Sequence, residues 1–243
     1  MSLTEAFLLE PYPFAAYIAN RPDGQKGSGT LNDPWDGSSQ QKFDAVMKQI
    51  SDALAADTSG TASALIFLGP GEFQTNGYYD GVTGDHWEAR SRMKIVGSGI
   101  DVTKITLVGT TTADTHYYAV GHALDDGTNI KTADFFEISN LTINCNLGSA
   151  LNACGAIRVL GKHAKNFDLK VINWGTKSSS VPCHVISALT GYYKDATHNY
   201  AAQNVGLQRC IATNPANSGA AAPVTVFHVG NVETAVMEAE VIG

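Results

Sequence analysis

Basic clusters are missing from this chain, and that absence removes a class of partner. Lys and Arg total 16 against 23 Asp and Glu, for a formal net charge of -7 at pH 7. Wrapping a nucleic acid takes grouped Lys and Arg that displace counterions from phosphates, so no nucleic-acid partner is expected. Runs of about 18 apolar residues, the length a helix needs to cross a bilayer, are also missing, and no membrane partner is expected. The start, Met1-Ser2-Leu3-Thr4-Glu5, lacks the basic segment and apolar core of a secretory leader. Cysteines are few: Cys145, Cys154, Cys183 and Cys210 form no Cys-x-x-Cys pair and lack the density of a disulfide scaffold, so buried single thiols are expected. A bridge between Cys183 and Cys210 stays open. The histidines show no His-Glu-x-x-His, and no metal site is expected. No Gly-x-Ser-x-Gly elbow is present either, which leaves a serine esterase without its signature.

What the chain does have is apolar mass and recurrence. With 44% hydrophobic and 16% charged residues it can bury a large core. One domain is expected, with residues 1–37 as an arm and loop and residues 38–243 as the folded body. Four units open on an asparagine followed by an alternating run: Asn140-Leu141-Thr142-Ile143, Asn166-Phe167-Asp168-Leu169, Asn204-Val205-Gly206-Leu207 and Asn231-Val232-Glu233-Thr234. Their intervals fall within the roughly 20–50 residues of stacked repeats. Within each unit the apolar residues Leu141, Ile143, Phe167, Leu169, Val205 and Leu207 are expected to point inward, and Thr142, Asp168 and Gly206 outward. The opening asparagine suits a bend, since Asn tolerates left-handed backbone angles.

Ser38-x-x-Gln41 reads as a capping box. Phe43, Val46, Met47, Ile50 and Leu54 then recur at helical spacing, which predicts an amphipathic helix over about 39–56. Past residue 60 the pattern changes to short strands between Gly, Asn, Asp and Ser: 64–68, 93–96, 104–108, 117–121, 135–138, 156–160, 185–189 and 224–229. One helix ahead of many strands looks like a cap over an open sheet end.

In this order, three parts carry a likeness: the helix around Phe43 to Ile50, the strand and turn Ile66-Phe67-Leu68-Gly69-Pro70-Gly71-Glu72-Phe73, and Lys94-Ile95-Val96-Gly97-Ser98-Gly99 followed by Thr103 to Leu107. With the later units they resemble the parallel β-helix proteins of the pectate-lyase-like superfamily. The resemblance runs through most of the chain and implies an all-β fold, a right-handed parallel β-helix solenoid with an N-terminal capping helix. It also implies a polysaccharide or oligosaccharide ligand, a secreted or cell-surface location, and no required cofactor, with Ca²⁺ as a candidate cation. Trp174, Tyr192, Tyr193 and Trp87 become candidate platforms for sugar rings.

For β-elimination a base removes the proton beside a uronate carboxyl while a cation neutralises that carboxyl. Asp168 and Lys170 alternate on one expected strand and should share a face, with Arg209 in the corresponding region of the next unit. Arg158 and His184 are placed along the same surface. Paired acids for hydrolysis are not evident, since Asp125-Asp126 beside Gly127 reads as a turn. Two classes stay open: a polysaccharide lyase or glycoside hydrolase, and a noncatalytic carbohydrate-binding, adhesion or tailspike-like module. Val236 to Gly243 stops within a unit, which predicts a longer solenoid or an end covered by another copy of the chain.

Overall fold

The computed structural model describes residues 14–79, 86–109, 117–123, 131–147, 153–177, 183–189, 191–195, 198–201, 206–212 and 224–229. Among them, side chains are described up to residue 177, apart from Tyr79 and Ala153, and again over 207–212. Within these residues the chain is mainly β with a single helix, α1 (Gln40–Ala56). Ahead of α1 come β1 (Phe14–Ala19) and β2 (Trp35–Asp36). After it come β3 (Ala64–Leu68), β4 (Gly71–Thr75), β5 (Tyr78–Tyr79), β6 (Met93–Gly97), β7 (Thr103–Leu107), β8 (Tyr117–Gly121), β9 (Glu137–Asn144) and β10 (Ala153–Leu160). The rest are β11 (Lys165–Ile172), β12 (Gly175–Thr176), β13 (Cys183–Leu189), β14 (Gly191–Asp195), β15 (His198–Ala201), β16 (Gly206–Ala212) and β17 (Val224–Val229).

Helix α1 begins one residue later than the capping box suggests. Ser39 is the N-cap and its side chain accepts from the Lys42 amide, while Ser38 donates its own N–H to Asp36. The expected apolar face is the buried one: Phe43, Met47 and Ile50 are fully covered, with Val46 and Leu54 packed partly against the same core. Two polar residues, Asp44 and Ser51, are buried with that face. Asp44 accepts from Thr75 Oγ1 (2.6 Å), Gln40 Nε2 (2.6 Å), the Asn76 amide (2.9 Å) and Trp87 Nε1 (3.2 Å), so a buried carboxylate is satisfied by four donors. These bonds tie the helix to the end of β4.

The main sheet runs β16-β11-β9-β6-β3-β1-β2, with β4 and β7 continuing it, and its pairs are parallel. β1, from the segment expected to be an arm, is one of its strands, with Ala16 and Ile18 fully buried. A second sheet runs β17-β13-β10-β8-β5, parallel from β8 to β17. Apart from β12, which also joins the second sheet, and the separate β14–β15 hairpin, strands from β7 onward fall alternately in the two sheets: β7, β8, β9, β10, β11, β13, β16, β17. Register then stacks apolar residues in rows. Ala16, Ile66, Ile95 and Ile138 form one inward row, and Phe73, Ile105, Ile143 and Val171 form another, all fully buried. Each large side chain so covered contributes roughly 1.5–3 kcal/mol.

Left-handed corners recur in the same register. Phe167 faces Ser139 and Leu169 faces Leu141, which sets Asp168 opposite Asn140, and the next strand sets Arg209 opposite Asp168. All three have positive φ, at 56°, 53° and 50°. Phe135 and His163, five residues before Asn140 and Asp168, and Arg92, one strand earlier, form a second set with φ of 62°, 57° and 60° just before β9, β11 and β6. Their side chains pile up, with Arg92 over the Phe135 ring at 5.1 Å and Phe135 stacked on His163 at 4.7 Å. Gly97 sits where the chain comes too close for a side chain: a Cβ there would lie 2.4 Å from the Asn140 carbonyl oxygen.

These corners correct the expected alternation. Asn140 matches Asp168 rather than Asn166, because a left-handed residue interrupts the two-residue period of a strand. Asn166 consequently points inward, 1% exposed, in the row of Ile95 and Ile138, whereas Phe167 is only partly buried. Thr142, expected outside, is also covered, 1% exposed. Cys145 and Cys154 are buried and outside any disulfide, as expected, and Cys210 is likewise in no disulfide, so it is not bridged to Cys183. The unit at Asn231, the opening residues Asn204-Val205 and the Asp125-Asp126 turn lie outside the described residues.

Candidate functional site

Asp168, Lys170 and Arg209 come to one outer wall, but not as one cluster. Arg209 reaches down to Asp168 with both prongs, Nε to Oδ1 at 2.5 Å and Nη2 to Oδ2 at 2.6 Å. That bidentate hydrogen bond holds the guanidinium pKa above its ordinary value. Lys170 turns away from Asp168 and bonds both carboxylate oxygens of Asp101 at 2.9 Å. Thr142, paired in register with Lys170, accepts the Asp101 amide on Oγ1 at 3.0 Å and donates its hydroxyl to Asp101 Oδ1 at 3.5 Å. The wall therefore carries two closed ion pairs rather than a free base beside a free cation.

The remaining sequence candidates are spread over the molecule. Trp174 is 8% exposed within the core and Trp87 is 2% exposed, its indole N–H given to Asp44 and Thr75, so neither ring offers a face to solvent. His184 lies on β13 opposite Thr225, while Tyr192 and Tyr193 lie on the β14–β15 hairpin opposite Tyr200 and Asn199. Their side chains are outside the description. Arg158, half-buried on β10, pairs in register with Gly121 and places its guanidinium 5.6 Å from the Tyr118 ring centre.

Arg158 belongs to a charged group that the sequence pattern did not single out. Residues 86–90 run beside β8, with the Ala89 amide bonded to the Gly121 carbonyl at 2.8 Å. Ser51, near the end of α1, fixes the same segment: its hydroxyl donates to the Glu88 carbonyl at 2.9 Å and accepts from Arg90 Nε at 3.1 Å. Gly121 leaves room for the Tyr78 ring, since a Cβ there would lie 2.9 Å from Cδ1, and His86 tilts against that ring at 5.5 Å. Glu88 then has His86 Nε2 3.5 Å from Oε1 and Arg90 Nη1 3.2 Å from Oε2, the latter an ion contact without hydrogen-bond geometry.

Burial alone would raise the Glu88 pKa, but the His86 hydrogen bond and the Arg90 charge outweigh it and hold the carboxyl below its ordinary 4.5. His122, 2% exposed, is pushed down by desolvation to about 4 and is neutral at pH 7. Its Nε2 lies 3.4 Å from the Lys131 carbonyl, and the charges of Glu88, Arg158 and Arg90 all act on the ring. Only tertiary contact assembles this group, for its members come from three separated segments, 86–90, 122 and 158. The one local signal was the alternation His86-x-Glu88-x-Arg90.

Among the described residues no set of three or more His, Cys, Asp and Glu side chains is placed to hold a metal ion. Among the same residues no helix is long and apolar enough to cross a membrane. Fold and site together define a mainly β chain of parallel strands with a helix docked on its first strands and two separate charged regions. Compared with protein-family models, curated proteins and solved structures, the chain matches none.

Proposed function

We propose that the strands are successive laps of a right-handed parallel β-helix capped by α1, and that its outer wall binds an extended polysaccharide outside the cell or at its surface. The observation that carries this reading is the recurrence of left-handed corners at 92, 135 and 163 and at 140, 168 and 209, in register with parallel pairing. Right-handedness follows the general rule for parallel crossovers. Corners in register put side chains in rows across the laps, such as Glu72, Lys104, Thr142, Lys170 and Ile211, of which Thr142 is covered and the other four reach the surface. With laps about 4.8 Å apart, five positions span about 19 Å, a length that suits several units of a polymer rather than one small molecule.

The two closed ion pairs favour holding over acid–base chemistry on that wall, so noncatalytic binding is the reading the geometry supports best. Lyase or hydrolase chemistry is the second reading, favoured by the Glu88 group with its perturbed carboxylate and neutral His122. Incubation with pectate, alginate and related polymers separates the two, with and without Ca²⁺. Retention on the polymer without new reducing or unsaturated ends supports the binding wall. New ends support the second reading. Neither retention nor new ends overturns both.

A further inference from the structure

Along the row from Glu72 to Ile211 and the corner beside it, every cation faces a carboxylate. Lys104 Nζ lies 3.6 Å from Glu72 Oε2, Lys170 Nζ lies 2.9 Å from both Asp101 oxygens, and Arg209 holds Asp168 with both prongs. Positive and negative side chains therefore cancel pair by pair. These groups are open to a ligand: the Asp101 and Arg209 side chains are 63% and 60% exposed, Glu72 44% and Lys104 38%. Neutral hydrogen-bonding groups stand among them. Gln74 is exposed on β4 and Asn140 half-buried at its corner, and among the described residues neither side-chain amide has a partner.

This pattern separates two kinds of polymer. A polyuronate such as pectate carries a carboxylate on each ring, and a row of free cations is what would complement it. Here a lysine that turned to the polymer would leave its own carboxylate beside the new one, so charge supplies no net attraction. At longer range the formal net charge of -7 repels a polyanion. Across the corner Lys165 is exposed beside Glu137, which already meets Lys94 at 3.1 Å, and that single surplus lysine makes no row. An uncharged polymer meets none of these obstacles. Its hydroxyls both donate and accept, so they match the two amides and the N–H groups and lone pairs left at the rim of each ion pair.

We propose that the wall of Glu72, Lys104, Asp101, Lys170, Asp168 and Arg209 selects an uncharged polysaccharide and rejects polyuronates. The inference rests on the reading of this wall as a polysaccharide-binding surface and adds the chemical class of polymer it takes.

The test compares retention of the full chain on pectate and on the same backbone fully methyl-esterified, a pair that differs chiefly in charge. Dextran and galactomannan serve as further uncharged probes, all without divalent cations and at low and high salt. The expected result is retention on at least one uncharged polymer, about tenfold or more tighter than on pectate and insensitive to salt. Asp101→Asn combined with Asp168→Asn supplies the second arm. Both residues stand at positive φ, 64° and 53°, which asparagine accepts, so the corners are kept while the wall loses two negative charges. This double variant is expected to gain about tenfold in retention on pectate, a gain that high salt removes, with thermal melting to show that it folds. A parent chain that prefers pectate, or a folded double variant that gains nothing on it, overturns the charge selection and leaves the binding wall standing. No retention of the parent chain on any of the polymers overturns the wall reading, and this inference with it.

Discussion

Arg209 holds Asp168 across neighbouring parallel strands, and both residues occupy left-handed corners at matching register. The side chains are 60% and 24% exposed, so water competes for the contact and salt screens it. Arg209→Ala is therefore expected to leave the melting temperature nearly unchanged while weakening retention on the polysaccharide the wall binds. A large fall in melting temperature with unaltered retention would assign the pair to stability alone.

Asn140 stands at φ 56°, a backbone state that penalises side chains branched at Cβ. Replacing it with Gly is expected to be neutral or slightly stabilising, and replacing it with Val to cost about 1–2 kcal/mol. Denaturant unfolding of the two variants checks the order, and equal stabilities would argue against a strained corner.

Asn166 breaks an otherwise aliphatic row: it follows Ile66, Ile95 and Ile138 inward, 1% exposed, with neither amide atom bonded. A buried amide without partners costs about 1–3 kcal/mol. Asn166→Leu is expected to stabilise the protein by an amount of that order. A destabilised variant would show that the amide meets a donor or acceptor in solution.

Asp44 joins α1 to β4 and to Trp87 through four accepted hydrogen bonds. Asp44→Ala strands the buried Thr75 hydroxyl proton and leaves the Trp87 N–H with Thr75 Oγ1 alone, and is expected to cost about 1–3 kcal/mol. Unfolding followed by Trp fluorescence measures it, and a loss well below this range would mean the helix docks by its apolar face alone.

His122 predicts a pH dependence with a definite sign. Burial lowers its folded pKa from 6.5 to about 4, so between those values the unfolded chain takes up a proton that the folded chain refuses. Stability is therefore full above about pH 6.5, falls as pH drops toward 4, and stops changing for this group below that. The gap corresponds to on the order of 3 kcal/mol. Denaturant unfolding at pH 7 and pH 4 is expected to show a smaller decline in His122→Gln than in the parent chain; an equal decline would remove His122 as the cause.

Local pattern was legible where one element decides its own form. The spacing of Phe43, Met47 and Ile50 named the helix to within a residue, and apolar runs such as 64–68 and 117–121 coincide with strands. Period failed where one residue left the strand conformation. Reading Asn140 with Asn166 assumed unbroken alternation, whereas the left-handed corner at Asp168 moved the match by two positions. Trp174 illustrates the same limit for sites, because an aromatic in a polar stretch reads as a platform until neighbouring strands cover it.

The amino-acid order by itself determined the elements, since helix face, strand length and turn chemistry are set by contacts between residues a few positions apart. Tertiary structure alone decided which residue lies over which: Asp168 under Arg209, Lys170 against Asp101, and His86, Glu88, Arg90, His122 and Arg158 brought to one place. Those juxtapositions depend on backbone pairing between strands dozens of residues apart, and such pairing is indifferent to the local pattern that defines each strand.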